Sequence, residues 1–425
     1  MIPALMTAVQ QAISHVWPLG TRLDERGVLQ LGGCNALELA RQFGTPAYIV
    51  VEDDLRSRAR AFLDAFARHA DDFEVHFASK SFPCSAVLRL FADEGLACDV
   101  ASGGELALAL NAGFDPARVH LHGNAKSEQE LRDALGAGIG DIVIDNLDEL
   151  AALERLIPHG SRQRVLLRIA PGVSPDTHPN ISTGGPNTKF GLNPRDAAVA
   201  IDRVSASDRF ELDGLHMHIG SQILDMAPFR AALEALVRLG DFRTYNLGGG
   251  LGVAYTSDAS APSIEDYVRA KVALVDEIAG PGKRIADEPG RALVAHSAVT
   301  LYTVQSVKRN VATWVAVDGG MSDNLRPMLY GARYEAHVVG RQGGGTICHL
   351  TGKHCESSDV LVHDADLPDP RAGDVIATPV TGAYGYAMSN NYHGQPRPPV
   401  VFVKDGDARA VVRRETYADL FGRDA

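Results

Sequence analysis

Strand-like and helix-like segments alternate eight times between residues 46 and 296, and this alternation restricts the fold more than any other feature. The helical segments carry apolar residues at three- and four-residue spacing, as in 127–135, 147–157, 228–239 and 264–279. Strands that alternate with helices pair in parallel, so eight such units favour a closed (β/α)8 barrel of the TIM type over an open doubly wound sheet. The predicted strands are 75–79, 98–101, 119–122, 142–145, 165–170, 214–219, 244–247 and 284–288.

The pattern changes after about residue 296. Short segments rich in Val and Thr, separated by Gly, Pro and Asp, replace the helical periodicity and predict a mainly antiparallel β domain. A strand-like piece near Gly27–Leu31 adds to that domain. We therefore expect an α/β protein with a barrel over 46–296 and a β domain formed by 1–45 and 297–425. The segments that carry this prediction are 298–308, 313–318, 347–352, 374–378 and 399–404.

The charge balance and the cysteines narrow the class of partner. Lys and Arg number 41 against 53 Asp and Glu, and the net charge of −12 disfavours nucleic acid. No stretch is long and apolar enough to span a bilayer, and the lack of basic residues before Arg22 argues against a secretory signal. Five cysteines without a CxxC pair indicate a reducing compartment. We expect a cytoplasmic protein that acts on a small molecule, without membrane or nucleic-acid partners.

Polar residues and glycines stand at or near the ends of most predicted barrel strands. Because the carboxyl ends of the strands form one face and the first strand neighbours the eighth, we expect Lys80 and Glu288 to share that face. A lysine that forms an imine and a carboxylate that keeps a pyridine nitrogen protonated are two requirements of pyridoxal phosphate chemistry. Each residue alone is more often a surface charge, a packed polar group or a turn, so their common placement carries the prediction. The set is Lys80, Asp99, His122, Asn124, Arg168, His218, Gly248, Gly249, Gly250, Glu288 and Arg291.

The triglycine at 248–250 ends the seventh predicted strand. Residues without a Cβ let backbone N–H groups approach an anion, and the seventh and eighth loops of barrels commonly hold phosphate. The loop does not match GxGxxG, and no GxxxxGK[ST] occurs elsewhere. A phosphate site without a nucleotide fingerprint favours a small phosphorylated cofactor.

His216 and His218 raise a metal site as an alternative, since residues two apart on a strand point to one face. Metal-dependent barrel hydrolases use such a pair, but usually on the first strand with further ligands, and HExxH is absent. We therefore predict no metal. In the other interpretation, one imidazole stacks on a planar ring and its neighbour packs beneath. The segment 178–186, which contains Gly184 and Gly185, is a hypothetical mobile lid.

Two further groups lie in the C-terminal region. Cys355 precedes Glu356 in a polar loop, where a thiol could donate a proton, although a free cysteine is more often simple packing. Arg326 and Tyr330 are one helical turn apart. An arginine guanidinium can form bidentate hydrogen bonds with a carboxylate, so Arg326 is suited to a substrate carboxylate.

Motifs over nearly the whole chain resemble the pyridoxal phosphate-dependent decarboxylases of the alanine racemase-like fold, the ornithine/diaminopimelate/arginine decarboxylase family. Jointly these motifs are highly specific. One departure is local, because Ser81 and Phe82 follow Lys80 where the family usually has Ala and then Asn or Phe. The matching segments are 77–80, 99–105, 122–126, 189–191, 216–222, 247–252, 288–291, 318–321, 355–357 and 382–384.

The resemblance implies a role for each matched residue. Lys80 would bind the cofactor covalently, His218 would stack on its ring, and Glu288 would pair with the pyridine nitrogen. Cys355 is implied as the proton donor, and Cys355 and Glu356 would come from the partner subunit of a homodimer with a shared active site. Further cofactor contacts are implied for Asp99, Ser221, Gly248, Gly249, Gly250, Pro289, Gly290, Arg291 and Tyr384.

The expected reaction is decarboxylation of meso-2,6-diaminopimelate to L-lysine and CO2, the last step of lysine biosynthesis. This substrate carries an ammonium and a carboxylate at its far end. Arg291, Arg326 and Tyr330 can bind the carboxylate, Glu356 can bind the ammonium, and Tyr384 is a further substrate contact. An arginine left unpaired in a closed site costs roughly 1–3 kcal/mol, which disfavours ornithine, lysine and arginine as substrates.

Three alternatives stay open at the level of the sequence. A decarboxylase of the same fold could act on another acidic or basic amino acid. An inactive regulatory homologue could bind a protein partner, although Lys80, Glu288 and Cys355 are all present. A metal-dependent hydrolase could use His216 and His218.

Overall fold

The computed structural model describes residues 13–178, 181–185 and 187–425. The hypothetical lid at 178–186 therefore lies partly outside the described residues, at 179, 180 and 186. The strands, in chain order, are β1 Arg22–Leu23, β2 Leu29–Leu31, β3 Cys34–Asn35, β4 Ala47–Val51, β5 Phe73–Ala78, β6 Ala97–Val100, β7 Val119–Leu121, β8 Asp141–Ile144, β9 Gln163–Arg168, β10 Phe210–His216, β11 Thr244–Asn246, β12 Arg284–Asp287, β13 Ala298–Arg309, β14 Thr313–Val317, β15 His337–Val338, β16 Thr346–Thr351, β17 Val360–Leu367, β18 Val375–Thr378, β19 Val400–Lys404 and β20 Asp407–Val412.

Helices occupy the intervals between the barrel strands, and the 18-residue helix Glu52–His69 precedes the first of these strands. In chain order they are α1 Ala36–Phe43, α2 Glu52–His69, α3 Ser85–Asp93, α4 Gly103–Ala112, α5 Glu128–Ala137, α6 Leu147–Leu156, α7 Pro194–Ala206, α8 Ala227–Val237, α9 Ile264–Ile278, α10 Arg291–Val294, α11 Arg326–Tyr330, α12 Gly385–Met388 and α13 Tyr417–Phe421.

The strands β5 to β12 close into a barrel in which each strand is parallel to its neighbours. The last strand pairs with the first, and Asp287 on β12 is aligned with Val75 on β5. The predicted (β/α)8 barrel is therefore confirmed, including the neighbouring positions of its first and eighth strands.

Local sequence explains why helices form between these strands. Polar side chains accept hydrogen bonds from the first free N–H groups of several helices, which stabilises their starts. Ser102 caps α4, Asn146 caps α6, and Ser127 forms a reciprocal capping box with Glu130 at the start of α5. Every residue of β6 and β8 is buried, as expected for strands covered by helices outside and side chains inside.

Polar side chains, as well as apolar ones, fill the barrel interior. The rings of His76 on β5 and His120 on β7 stack with centroids 4.1 Å apart. Because β5 and β7 are not adjacent, the two rings meet inside the barrel. Buried polar groups must find partners, and this requirement organises the site described below.

The chain divides into two compact units. The first comprises Arg56–Val253 and Ala261–Leu293 and contains the barrel; the second comprises Met1–Leu55, Ala254–Ser260 and Val294–Ala425. The main sheet of the second unit runs β17-β16-β14-β13-β4-β19-β20, with β18 also on β13 and β15 on β18. Its pairs are antiparallel except β14 with β16 and β4 with β19, so the prediction of a mainly antiparallel β fold is confirmed.

Candidate active site

Lys80 lies just beyond the end of β5 rather than within the strand. The strand ends at Ala78, and residues Ser79–Ser81 form a single 3-10 turn in which Phe82 N donates to Ser79 O at 3.0 Å. The ammonium donates to Asp99 Oδ2 at 3.1 Å and lies 3.0 Å from His122 Nε2. The Lys80 side chain is 31% exposed, whereas that of Asp99 is completely buried. The turn therefore presents an accessible amine above a buried anion.

The Glu288–Arg291 turn packs directly against the turn that holds Lys80. Ala78 N donates to Pro289 O at 3.1 Å. A Cβ on Gly290 would lie 3.1 Å from Cβ of both Ala78 and Ser81, so only a very small residue fits there without a shift. The sequence prediction that Lys80 and Glu288 follow neighbouring strands at one end of the barrel agrees with this geometry.

Glu288 receives three hydrogen bonds at one oxygen. His216 Nε2 lies 2.8 Å from Glu288 Oε1, Asn246 Nδ2 donates at 2.9 Å, and His120 Nε2 lies at 3.2 Å. Burial opposes ionisation, but the interactions with His216 and His120 outweigh burial and hold the pKa of Glu288 well below its ordinary value. The carboxylate is therefore ionised, and its contacts with His216, Asn246 and His120 all fall on Oε1 rather than Oε2.

His120 connects Glu288 to Asp99. Its Nε2 lies 3.0 Å from Asp99 Oδ1, and His122 Nε2 lies 3.2 Å from the same oxygen. Burial lowers the pKa of His120, but hydrogen bonds to Asp99 and Glu288 outweigh burial and raise it to about 10. Burial raises the pKa of Asp99, but the interactions with His122 and Lys80 outweigh burial and lower it. A buried imidazolium thus lies between two buried carboxylates.

Two other histidines of the site stay neutral. Burial, and then Lys80 and Arg168, lower the pKa of His218 to about 3, and burial lowers that of His216. His218 is partly exposed, and its Nδ1 has no partner among the described residues. A neutral, partly exposed imidazole can stack on an aromatic ring, and the role of His218 stays a prediction.

The glycine loop after β11 fits tightly between neighbouring groups. A Cβ on Gly249 would lie 2.1 Å from Glu288 O, and one on Gly248 would lie 2.8 Å from His218 Nδ1. Gly248 also adopts a left-handed φ of 62°. Glycine is therefore required at these positions because Glu288 and His218 pack against the loop. The sequence had related the glycines only to anion binding. The N–H groups of Gly249 and Gly250 have no acceptor in the described chain and remain available to an anion.

Ser221 and Arg291 lie together next to this loop. Arg291 Nη2 donates to Ser221 Oγ at 2.9 Å, and a Cβ on Gly250 would lie 3.0 Å from Gly220 O. Arg168, which the sequence placed in the same ring, contacts Asp145 at 3.5 Å and lies 4.5 Å from the Phe190 ring centroid. Burial lowers the pKa of Arg168.

Five predicted site residues belong to the second unit. Arg326 is buried on α11, donates to the Tyr334 hydroxyl and lies 4.5 Å from the centroid of the Tyr255 ring. Tyr330 ends the same short helix. Tyr384 precedes α12 with a positive φ of 65°. Cys355 and Glu356 are exposed, and the Tyr392 hydroxyl donates to Glu356. The roles given to these five residues stay predictions.

Two residues of the hydrogen-bond network were missed at the level of the sequence, His120 and Asn246. His120 lies on β7 with His122 just beyond it, and His216 ends β10 with His218 two residues further on, so the repeated HxH pattern was a usable signal. Asn246 gave no comparable signal, because its importance depends on the neighbouring strand that brings Glu288 to it.

The metal alternative can be compared with the observed contacts. Ligand-type atoms of Asp99, His120 and Glu288 lie within 4.8 Å of one another. His120 is hydrogen-bonded to both carboxylates, and these hydrogen bonds alone account for the short distances between the three side chains. His216 is likewise hydrogen-bonded to Glu288.

In the described part of the chain, no helix is long and apolar enough to cross a membrane.

Comparison with known proteins identifies the family. A family model described as "Pyridoxal-dependent decarboxylase, pyridoxal binding domain" matches residues 52–295. The diaminopimelate decarboxylase of Actinosynnema pretiosum subsp. auranticum is 46% identical over 438 residues, covering 100% of this chain and 99% of that protein. The chain belongs to the diaminopimelate decarboxylase family.

Further relatives agree with this assignment. The diaminopimelate decarboxylase of Bacillus subtilis (strain 168) is 45% identical over 94% of this chain and 96% of its own length. The crystal structure of the M. jannaschii diaminopimelate decarboxylase in co-complex with L-lysine matches with a TM-score of 0.88 and 33% identity, covering 95% of this chain and 97% of that one. The resemblance stated from the motifs is therefore confirmed.

The residues at this end of the barrel fit pyridoxal phosphate. Lys80 offers an accessible amine, and Glu288 Oε2 offers an acceptor for a pyridine N–H. His218 offers a neutral ring face, and the free N–H groups of Gly249 and Gly250 suit a phosphate.

Proposed function

We propose that the chain is a pyridoxal phosphate-dependent carboxy-lyase that converts meso-2,6-diaminopimelate into L-lysine and CO2. The observation that carries the proposal is the placement of Lys80 and an ionised Glu288 on adjoining turns at one end of the barrel. Full-length relatives named diaminopimelate decarboxylase support the substrate, as does the relative that was solved with L-lysine. When bound, pyridoxal phosphate supplies an electron-poor pyridinium ring that accepts the electron pair left by departing CO2.

The chain's own groups prepare this chemistry in two ways. Lys80 can attack a carbonyl only after losing a proton, and His122 Nε2 lies 3.0 Å from the ammonium, close enough to accept it. Glu288 keeps its negative charge and can hold a proton on the ring nitrogen through Oε2. Because His120, His216 and Asn246 fix Oε1, the position of Oε2 is set before a ligand arrives.

The far end of the substrate requires groups of opposite charge. We assign its carboxylate to Arg291, Arg326, Tyr330 and Tyr384, and its ammonium to Glu356. We assign proton delivery at the α-carbon to Cys355. The exposure of Cys355 and Glu356 supports a homodimer in which the partner supplies both residues, because exposed groups of one copy can complete the site of another. The remaining cofactor contacts are assigned to Asp99, Ser221, Pro289 and Gly290, and the compartment to the cytoplasm.

Substrate competition tests the proposed specificity. The purified chain, saturated with pyridoxal phosphate, is assayed for CO2 release from meso-diaminopimelate, ornithine, lysine and arginine. We expect kcat/KM to be highest for meso-diaminopimelate by at least roughly 100-fold, because the other substrates bring no second carboxylate to the buried Arg326, whose Nε has no hydrogen-bond partner in the described chain. Ornithine as the best substrate would contradict the assignment.

Mixing two inactive or impaired variants tests the shared site. Lys80→Ala and Cys355→Ala homodimers are combined, dissociated and reassociated. If each site takes Lys80 from one copy and Cys355 from the other, random exchange restores about one quarter of the wild-type sites. Separate Cys355→Ala enzyme should bind cofactor normally but turn over slowly. No gain in activity on mixing would contradict sharing, and an unchanged Cys355→Ala rate would remove the thiol from the reaction.

A further inference from the structure

Lys271 lies beneath the glycine loop and has no part in the reaction proposed above. It stands on α9 and is fully buried, and its Nζ donates to Gly248 O at 2.8 Å and to Asp287 Oδ1. The rings of Phe229 and Tyr267 have centroids 4.5 and 4.6 Å from the ammonium. Burying a lysine ammonium costs desolvation free energy unless the charge is paired and hydrogen-bonded. The contacts of Lys271 should therefore explain why it is buried here.

The carbonyl that Lys271 holds is shared with Glu288. Glu288 N donates to the same Gly248 O at 3.3 Å. On the other side of the peptide, Gly248 N donates to Asn246 Oδ1 at 2.9 Å, and Asn246 Nδ2 donates to Glu288 Oε1 at 2.9 Å. Gly248 is therefore hydrogen-bonded to the backbone of Glu288 directly and to its carboxylate through Asn246, and Lys271 is the basic residue of this network.

The tight fit of the loop makes the network sensitive to small movements. A Cβ on Gly249 would already lie 2.1 Å from Glu288 O, so the two backbones touch at this point. A shift of the Gly248 carbonyl would reorient the next N–H and would also displace Glu288. The position of the glycine loop is therefore coupled to the position of the Glu288 carboxylate.

We propose that Lys271 is a positioning residue that fixes the spacing between the anion-binding loop at Gly248–Gly250 and the carboxylate of Glu288. In this role it acts through Gly248 and does not touch the cofactor. The inference rests on the proposed function, because the loop and Glu288 are assigned to the phosphate and the ring nitrogen of one pyridoxal phosphate.

A simpler role for Lys271 would be to balance the charge of Asp287. Asp287 is fully buried, and its Oδ2 has no partner among the described residues. Burial raises the pKa of Asp287 and lowers that of Lys271, as expected for a pair whose charges are costly to keep. The two roles make different predictions when both charges are removed.

Binding of pyridoxal phosphate and of pyridoxal, which lacks the phosphate, separates the two roles. Dissociation constants are measured by fluorescence titration of the full-length cofactor-free protein. We expect Lys271→Met to weaken pyridoxal phosphate binding at least roughly ten-fold, the effect of losing one charge-assisted hydrogen bond, and to weaken pyridoxal less. Lys271→Met/Asp287→Asn should regain thermal stability, since no buried charge is left unpaired, and yet remain weak in phosphate binding.

Two further variants serve as controls. Asp287→Asn alone keeps the Lys271 contact to Gly248 and should bind pyridoxal phosphate about as tightly as the wild type. Lys283→Met removes a lysine that pairs with Asp241 at the other end of β12, and should also leave binding unchanged.

The outcomes decide between the roles even if Lys271→Met alone does not fold. Wild-type affinity in the double variant would overturn the proposal and leave charge balance as the role of Lys271. A loss of affinity in Asp287→Asn equal to that of the double variant would overturn it as well. Failure of the wild-type protein to bind pyridoxal phosphate would instead remove the proposed function.

Discussion

The two ends of the barrel are both lined with buried or half-buried charges, but the charges are arranged differently. At the amino ends of the strands, Arg164 donates to both oxygens of Asp141 at 2.6 and 2.8 Å, and Arg284 donates to Glu74 at 2.7 Å. At the carboxyl ends, three donors meet on a single oxygen of Glu288. The first arrangement satisfies each carboxylate, and the second places all three donors on one of the two oxygens.

This difference separates stabilising charges from reactive ones. Paired arginines and carboxylates at the amino ends lower the cost of burying each other and leave no strong acceptor for a ligand. The carboxyl ends instead hold His122, His216 and His218, each with an Nδ1 that has no partner in the described chain. Histidine pKa values are also driven in opposite directions there, up at His120 and down at His218. Such divergent pKa values within one cluster are typical of catalytic sites.

Loss of Lys80 should give the largest effect of any change at the carboxyl ends. Lys80→Ala removes the amine that we assign to the cofactor, so we expect kcat/KM to fall by roughly 1,000-fold or more. Stability should change by no more than about 1 kcal/mol, because the Lys80 side chain is partly exposed and Asp99 keeps His120 and His122 as partners. Initial rates and urea unfolding measure both quantities. A variant that is active, or that is unfolded, would contradict this division of roles.

Glutamine in place of glutamate at each end of the barrel sharpens the comparison. Glu288→Gln should lower kcat by roughly 100-fold, because the amide cannot hold a proton on the ring nitrogen as a carboxylate does. Glu74→Gln should instead destabilise the protein by about 1–3 kcal/mol and leave kcat nearly unchanged, because Glu74 pairs with Arg118 and Arg284. Equal effects on kcat at the two ends would break the comparison.

The pH dependence of stability should report the buried imidazolium. The pKa of His120 is raised in the folded state from 6.5 to about 10, so its stabilising contribution is complete below pH 6.5 and is lost as the pH rises through 10. We expect the wild-type free energy of unfolding to fall over this range relative to His120→Asn, with a slope of at most about 1.4 kcal/mol per pH unit. Parallel profiles for the two proteins would show that His120 is not protonated.

The barrel and the positions of Lys80 and Glu288 could be predicted because both follow from patterns along the chain. Alternating apolar segments define parallel strands, and closure of eight of them puts the residues after the first and last strands side by side. The predicted strands differ from the observed ones by only a few residues, although the prediction extended the first strand into the 3-10 turn that carries Lys80. Turn geometry of this kind depends on contacts with Pro289 and Gly290 that are distant in sequence.

The pairing of atoms in the hydrogen-bond network could not be predicted, because its members come from strands that are far apart along the chain. Asn246 and His120 matter only because the barrel brings β7 and β11 to Glu288. The same reason explains why the sequence related the glycines only to an anion, while the structure shows them packed against Glu288 and His218. The residue types predicted the chemistry of the site, whereas closure of the barrel determined which atoms form hydrogen bonds.

Chemical trapping of the bound cofactor tests the central assignment most directly. The wild-type protein is loaded with pyridoxal phosphate, reduced with borohydride, digested and sequenced by mass spectrometry. We predict that the pyridoxyl group is found on Lys80, the partly exposed amine next to the Glu288 turn. A label on another lysine, such as Lys126 or Lys271, or no label on any lysine, would contradict the account.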